Sequence, residues 1–110
     1  MESISITAVA EEQLDLARRS NSGRAAHTIH GGHDHSLRQT VMALAAGHEM
    51  GEHDSPGEAT LQVLRGHVRL TTATDSWDGT TGDYLAVPPA RHALLAVEDS
   101  VVLLSVLADR

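Results

Sequence analysis

The side chains best suited to chemistry in this sequence are imidazoles. Eight of the 110 residues are histidine and none is cysteine. Without cysteine there are no disulfides, thiolate metal centres or thiol nucleophiles. Histidine offers acid–base chemistry near neutral pH and metal ligation. His27, His30, His33 and His35 crowd into AAHTIHGGHDHS, while His48, His53, His67 and His92 are spread further on. Two residues two apart on a strand share a face, which is the spacing of His33 and His35. Gly31-Gly32 just before them predicts a loop instead, where that rule lapses. Neither a G-x-S-x-G elbow nor a phosphate-cradling G-x-x-x-x-G-K-[ST] loop is present. His48-Glu49 begins an H-E-x-x-H pattern, but Glu52 stands at its fifth position.

Positioning these side chains falls to strands. From Arg24 onward the chain breaks into short β-branched or apolar runs separated by glycine, proline and aspartate. They are Ala25–Ile29, Leu37–Ala46, Glu49–His53, Ala59–Leu64, His67–Thr72, Tyr84–Val87, Ala93–Val97 and Val101–Leu107. This spacing predicts an all-β sandwich or barrel. Gly66 predicts a tight hairpin; Asp78-Gly79 and Gly82-Asp83 predict turns. Pro88-Pro89 bars a central strand. Alternation puts Glu49, Gly51, His53 and Ser55 on one face, with His48 and Glu52 on the other. Upstream, residues 2–6 alternate like a short strand. Thr7 is then expected to cap a helix over Ala8–Asn21, with an apolar stripe of Val9, Leu14, Leu16 and Ala17 and a stop at Gly23.

The stretch Gly47 to Gly66 resembles the first motif of the cupins: a glycine, five residues, His-x-His, three or four residues, a glutamate, six residues and a glycine. Gly47, His53 and Gly66 fall on their places, and Val63-Leu64-Arg65-Gly66 looks like the family's closing turn. Gly82 to His92 resembles the second motif, with Pro88 and His92, although the Pro–His spacing is one residue shorter and alanine replaces the common glycine. The resemblance covers about residues 37–107. It implies a small jelly-roll β-barrel over 37–110. An N-terminal strand, helix and histidine-rich loop (1–36) would pack on it.

In metal-binding cupins the resemblance implies two histidines and a glutamate from the first motif and a histidine from the second. His53 and His92 keep two of these places. Ser55 stands at the second histidine place and Ala59 where the glutamate is expected. The implied pocket comprises His53, His92, Glu49 and Ser55, with His53 and His92 as the candidate ligands of a divalent metal (zinc, nickel, iron or manganese). Glu58, His33 and His35 are candidate third ligands. Two functions are open: a small-molecule-binding protein with no assigned reaction, or a metal-dependent enzyme of dioxygenase or isomerase type. His67 is expected to be an exposed turn residue. Trp77 and Tyr84 are expected in packing, with Met42 and Met50 as core filler. Arg38 and Arg91 are open to either an anionic ligand or a surface ion pair.

The rest of the composition narrows the partners. Eight basic against fifteen acidic residues give a formal charge of −7, which argues against sequence-independent nucleic-acid binding. Protonating all eight histidines would carry that −7 to +1. The longest apolar run, Val101 to Leu104, is far short of the ~18 residues of a membrane span, and residues 1–4 lack the features of a secretory signal, so a cytoplasmic protein is expected. Val41–Leu44 and Val101–Leu104 are apolar on both faces. Such strands need cover on both sides, from a helix, another sheet or a second chain, and a homodimer through the sheet surface is the expectation.

Overall fold

A computed structural model describes residues 1–55 and 57–107. Among the described residues one helix, α1 (Ile6–Arg19), precedes nine strands: β1 (Arg24–His30), β2 (Leu37–Leu44), β3 (Glu49–His53), β4 (Ala59–Arg65), β5 (His67–Thr71), β6 (Ser76–Thr80), β7 (Tyr84–Ala86), β8 (His92–Ala96) and β9 (Ser100–Leu107). They form two antiparallel sheets, ordered β1-β2-β9-β4-β7 and β3-β8-β5-β6. The chain is mostly β-sheet with an N-terminal helix, as the run pattern predicts.

The helix starts earlier than expected. Ser5, not Thr7, is the N-cap, its Oγ accepting from the Ala8 N–H at 3.2 Å. The strand expected over residues 2–6 does not form. Five alternating residues with no edge to pair against cannot compete with a capped helix. Arg18 and Arg19 close the last turn, where cations suit the helix dipole. Gly23, at φ +68°, turns the chain towards β1, and the ring of His48 packs against the side of it where a Cβ would project.

The helix explains why two strands are apolar on both faces. Ala10, Leu14 and Ala17 bury themselves against Val41, Ala43 and Val101, with Leu103 packed alongside. Met42, Leu44 and Val102 turn the opposite way, into the core between the sheets, with Leu61, Val63, Val68, Leu70 and Leu94. Of the three covers the sequence left open, the helix is the one in place. Leu16, expected in the apolar stripe, is 42 % exposed.

Two turn expectations are corrected. Gly66 does not close a hairpin: β4 and β5 belong to different sheets, and Gly66 is the corner between them. A Cβ there would run into the backbone oxygen of Asp99 and the Ser100 side chain, and its φ of +93° favours glycine in any case. The buried Ser100 hydroxyl pins the corner by accepting from the His67 N–H at 3.0 Å. Asp78-Gly79 is not a turn but the middle of β6, opposite Arg69 and Val68. The turn falls earlier, at Thr72–Asp75, where Thr72 N–H donates to the Asp75 carbonyl at 2.9 Å. Gly79 is needed because the indole of Trp77 lies where its Cβ would be. Trp77 packs against the core as expected, whereas Tyr84 is 62 % exposed and packs little.

Candidate functional site

Between the sheets lies a small cavity lined by His53 and His92. Its walls are otherwise apolar: Met42, Met50, Ala59, Leu61, Leu70, Val87, Leu94, Val102 and Leu104. About 40 Å³ is open to the centres of water-sized atoms, enough for a few waters or a small ligand. Met42 and Met50 pack against the core, as expected, and also form part of the cavity wall.

The two histidines meet because β3 and β8 pair them directly, His53 opposite His92. Their ring centroids are 4.4 Å apart at 70°, an edge-to-face arrangement. The β3–β8 register shifts between Met50 and His53. This bulge changes the face alternation. Met50 and His53, three residues apart, both face the cavity. Glu49, expected to share the face of His53, is exposed and outside the lining. His92 is 5 % exposed, and His53 is half-buried.

Both rings are held by the same local bond. His53 Nδ1–H donates to the Gly51 carbonyl at 3.0 Å, and His92 Nδ1–H to the Ala90 carbonyl at 2.8 Å. A carbonyl only accepts, so each Nδ1 carries the proton. On the outer side of the same strand pair, Arg91 ties the ends together. Its Nε donates to Glu52 Oε1 at 2.6 Å and its Nη1 to Asp54 Oδ1 at 3.1 Å. These carboxylates raise the Arg91 pKa further above its ordinary value. Of the two readings open for Arg91, the surface ion pair is the one formed.

The other candidates lie elsewhere. Ser55 Oγ donates to the Gly57 carbonyl at 3.2 Å and is not in the cavity lining. Ala59 is in the lining, so a methyl group stands in the wall where the resemblance expects a carboxylate. Glu58 is exposed beside Leu37 and Leu107, in an outer groove. His33 and His35 are exposed in the β1–β2 loop and do not line the cavity. His35 Nδ1–H donates to the Gly31 carbonyl at 2.9 Å, and its ring lies 4.6 Å from that of His30. Among the described residues, no three His, Asp or Glu side chains are placed to hold one metal ion.

One charged group was not anticipated. His67 is no free turn residue: its Nε2 is 3.1 Å from Asp78 Oδ2, and Arg69 grips the same carboxylate at 2.7 and 3.0 Å. The Arg69 bond first, then the His67 bond, hold the Asp78 pKa down at about 2. Once β5 and β6 are paired, positions 67, 69 and 78 converge on one face. Reading 78–79 as a turn concealed that.

No protein-family model matches the chain, and no curated protein does. Solved structures do. A conserved protein of unknown function from Streptococcus pyogenes, SPY1581, is 27 % identical, with a TM-score of 0.73 over 100 % of this chain and 92 % of that one. A cupin superfamily protein from Desulfitobacterium hafniense is 20 % identical, with a TM-score of 0.70 over 78 % of each chain. A point mutant of salicylate 1,2-dioxygenase from Pseudoaminobacter salicylatoxidans is 24 % identical, with a TM-score of 0.75 over 92 % of this chain but 33 % of that one. The antiparallel two-sheet fold is therefore one that this chain shares with cupin structures. The chain is a small, single-domain, cupin-like protein.

The donor set does not fit a resident metal ion of the usual kind. Such sites take three or more protein ligands. Here two imidazoles face the cavity, and the remaining places the resemblance assigns hold Ser55, bonded away, and the methyl of Ala59.

Proposed function

We propose that this cupin-fold protein binds a small molecule in the cavity, with His53 and His92 as its polar contacts. The observation that carries the reading is the composition of the wall. Two fixed imidazoles stand among apolar side chains, the usual make-up of a ligand pocket, in which few polar groups set orientation. In this reading residues 1–36 support the barrel of 37–110, and Glu49, Ser55, Glu58, His33 and His35 make no contact with the ligand. Among the described residues, no helix is long and apolar enough to cross a membrane. The reading is of a cytoplasmic homodimer. Its pairing is supported by the exposed outer edge of β1, which leaves backbone groups without a strand partner. A monomer by light scattering at micromolar concentration removes the dimer.

One observation favours the enzyme reading. Metal-bound histidines commonly donate their other ring N–H to a carbonyl, as His53 and His92 do. In that case the two rings would hold a divalent ion whose remaining positions are filled by water or substrate. Elemental analysis of tag-free protein separates the two. About one ion per chain, lost in His53→Ala and in His92→Ala, supports the metal enzyme. Metal-free protein with an intact fold that binds small molecules supports the binding protein.

A further inference from the structure

A second concavity lies beside the turn between β5 and β6. β7 ends one sheet and β6 ends the other, and a groove opens between them, lined by residues of both strands. About 190 Å³ is open there to the centres of water-sized atoms, against about 40 Å³ at His53 and His92. Leu70 stands in both walls, whereas the two histidines line the first cavity alone. Trp77, Leu85 and Pro88 form the apolar side of the groove, and Thr72, Asp75 and Ser76 its polar side.

The polar side is held in place by its own turn. The Thr72 N–H donates to the Asp75 carbonyl at 2.9 Å, and the Asp75 N–H returns a bond to Thr72 Oγ1 at 3.1 Å. The Ser76 N–H donates to Asp75 Oδ1 at 2.9 Å and so anchors the carboxylate, whose Oδ2 accepts nothing from the described residues. Other carboxylates have cations of their own: Asp78 has Arg69, Asp99 has Arg18, and Glu52 and Asp54 share Arg91. Asp75 has no ion pair among the described residues, and neither arginine nor histidine lines the groove.

We infer that this groove binds a small organic cation, a primary ammonium on a short aryl or alkyl chain. The ammonium meets the Asp75 carboxylate, and the hydrocarbon lies against Trp77, Leu85 and Pro88. An apolar concavity with few polar groups is the usual make-up of a ligand site, and here the single charge in the wall sets the sign of the ligand. An anion would face that carboxylate with no cation to offset it, on a chain of formal charge −7. An uncharged analogue would keep the hydrocarbon contact and forgo the ion pair.

Trp77 is the only tryptophan of the chain, so its fluorescence reports this groove directly. The test titrates the full chain at neutral pH and low salt with phenethylamine, phenylethanol and phenylpropionate separately. A saturable change is expected, with the ammonium bound about two- to fivefold more tightly than the alcohol, as an exposed ion pair allows, and the carboxylate bound most weakly. Added salt is expected to shrink the preference. Asp75→Asn, which keeps a side-chain oxygen for the Ser76 N–H, is expected to bring the ammonium down to the level of the alcohol. Asp34→Asn removes an exposed charge from the β1–β2 loop and is expected to leave binding unchanged. Equal binding of ammonium and alcohol overturns the ligand class. A loss in Asp34→Asn as large as that in Asp75→Asn overturns the site, by tracing the attraction to general acidity. Quenching that rises linearly without saturating, for all three compounds, overturns the site as well. Each of these results leaves the reading of the His53–His92 cavity as it was.

Discussion

The molecule holds two histidine pairs of nearly the same geometry in opposite surroundings. His53 and His92 lie 4.4 Å apart at 70°; His30 and His35 lie 4.6 Å apart at 59°. In three of the four rings Nδ1–H donates to a nearby backbone carbonyl. Ring contact and tautomer therefore do not by themselves distinguish a site from a decorated loop. The wall does. The inner pair lines a cavity of leucine, valine and methionine, where few other polar groups compete for a ligand. Both rings of the outer pair are exposed, where water competes for every bond they could make.

The strongest way to break the comparison is to break the wall. Leu94 is 4 % exposed and lines the cavity. Leu94→Ala is expected to destabilise the fold by about 2–5 kcal/mol, the usual range for a buried leucine, measured by urea denaturation. A loss below about 1 kcal/mol would mean that this wall is soft and the inner pair no better framed than the outer. Next in size is Ala59→Glu, which restores a carboxylate where the lining has a methyl. It is expected to raise zinc affinity by about tenfold or more, because two imidazoles become a three-ligand set. Isothermal titration checks it, with Glu58→Ala as the control that leaves zinc binding unchanged. If Ala59→Glu folds and binds zinc no better than the parent chain, the inner pair is not oriented for a metal.

His67 is a third case, a half-buried histidine on a strand with a charged partner. The Asp78 carboxyl is held at about 2 by Arg69 and then His67, against ~3.9 for an ordinary aspartate. A depressed carboxylate pKa stabilises the fold fully above the unfolded value and loses that contribution as pH falls through the folded one. The urea midpoint advantage of the parent chain over Asp78→Asn should therefore be constant above about pH 4 and shrink between about pH 4 and 2. The advantage is expected to be modest, since the cluster is solvent-exposed. An advantage that persists undiminished at pH 2 would show that the carboxylate charge is not what holds the cluster.

Much of this arrangement was legible in the residues, and the failures have physical causes. The eight apolar runs correspond to eight of the nine strands, because burial between two sheets or under a helix demands hydrocarbon at those positions. β6 was missed because Ser76-Trp77-Asp78-Gly79-Thr80 carries turn residues. Their reasons are long-range: Asp78 serves Arg69 and His67, and Gly79 makes room for Trp77. The meeting of His53 and His92 followed from the motif resemblance, but the strict alternation that put Glu49 beside His53 did not survive the β3 bulge. A bulge depends on the partner strand, and no local pattern in Glu49–His53 announces it. Gly66 was legible as a point of required freedom, yet not as a corner. The residues packed against that corner, Asp99 and Ser100, lie far along the chain, so no local pattern shows it.

The smallest expected effect is the sharpest test of the contrast. His35→Ala removes half of the outer pair and is expected to change stability by less than about 0.5 kcal/mol, as neutral surface changes do. His92→Ala removes half of the inner pair from a position only 5 % exposed. It is expected to cost on the order of 1–3 kcal/mol, by opening the wall and removing the bond to the Ala90 carbonyl. Paired urea curves decide the matter. Equal losses would make ring-on-ring contact the common stabilising factor and remove the wall from the account. A flat response at His35 beside a clear loss at His92 locates the difference in burial. It would also mean that the crowding of histidines into residues 27–35, the most conspicuous feature of the sequence, contributes little to the stability of the fold.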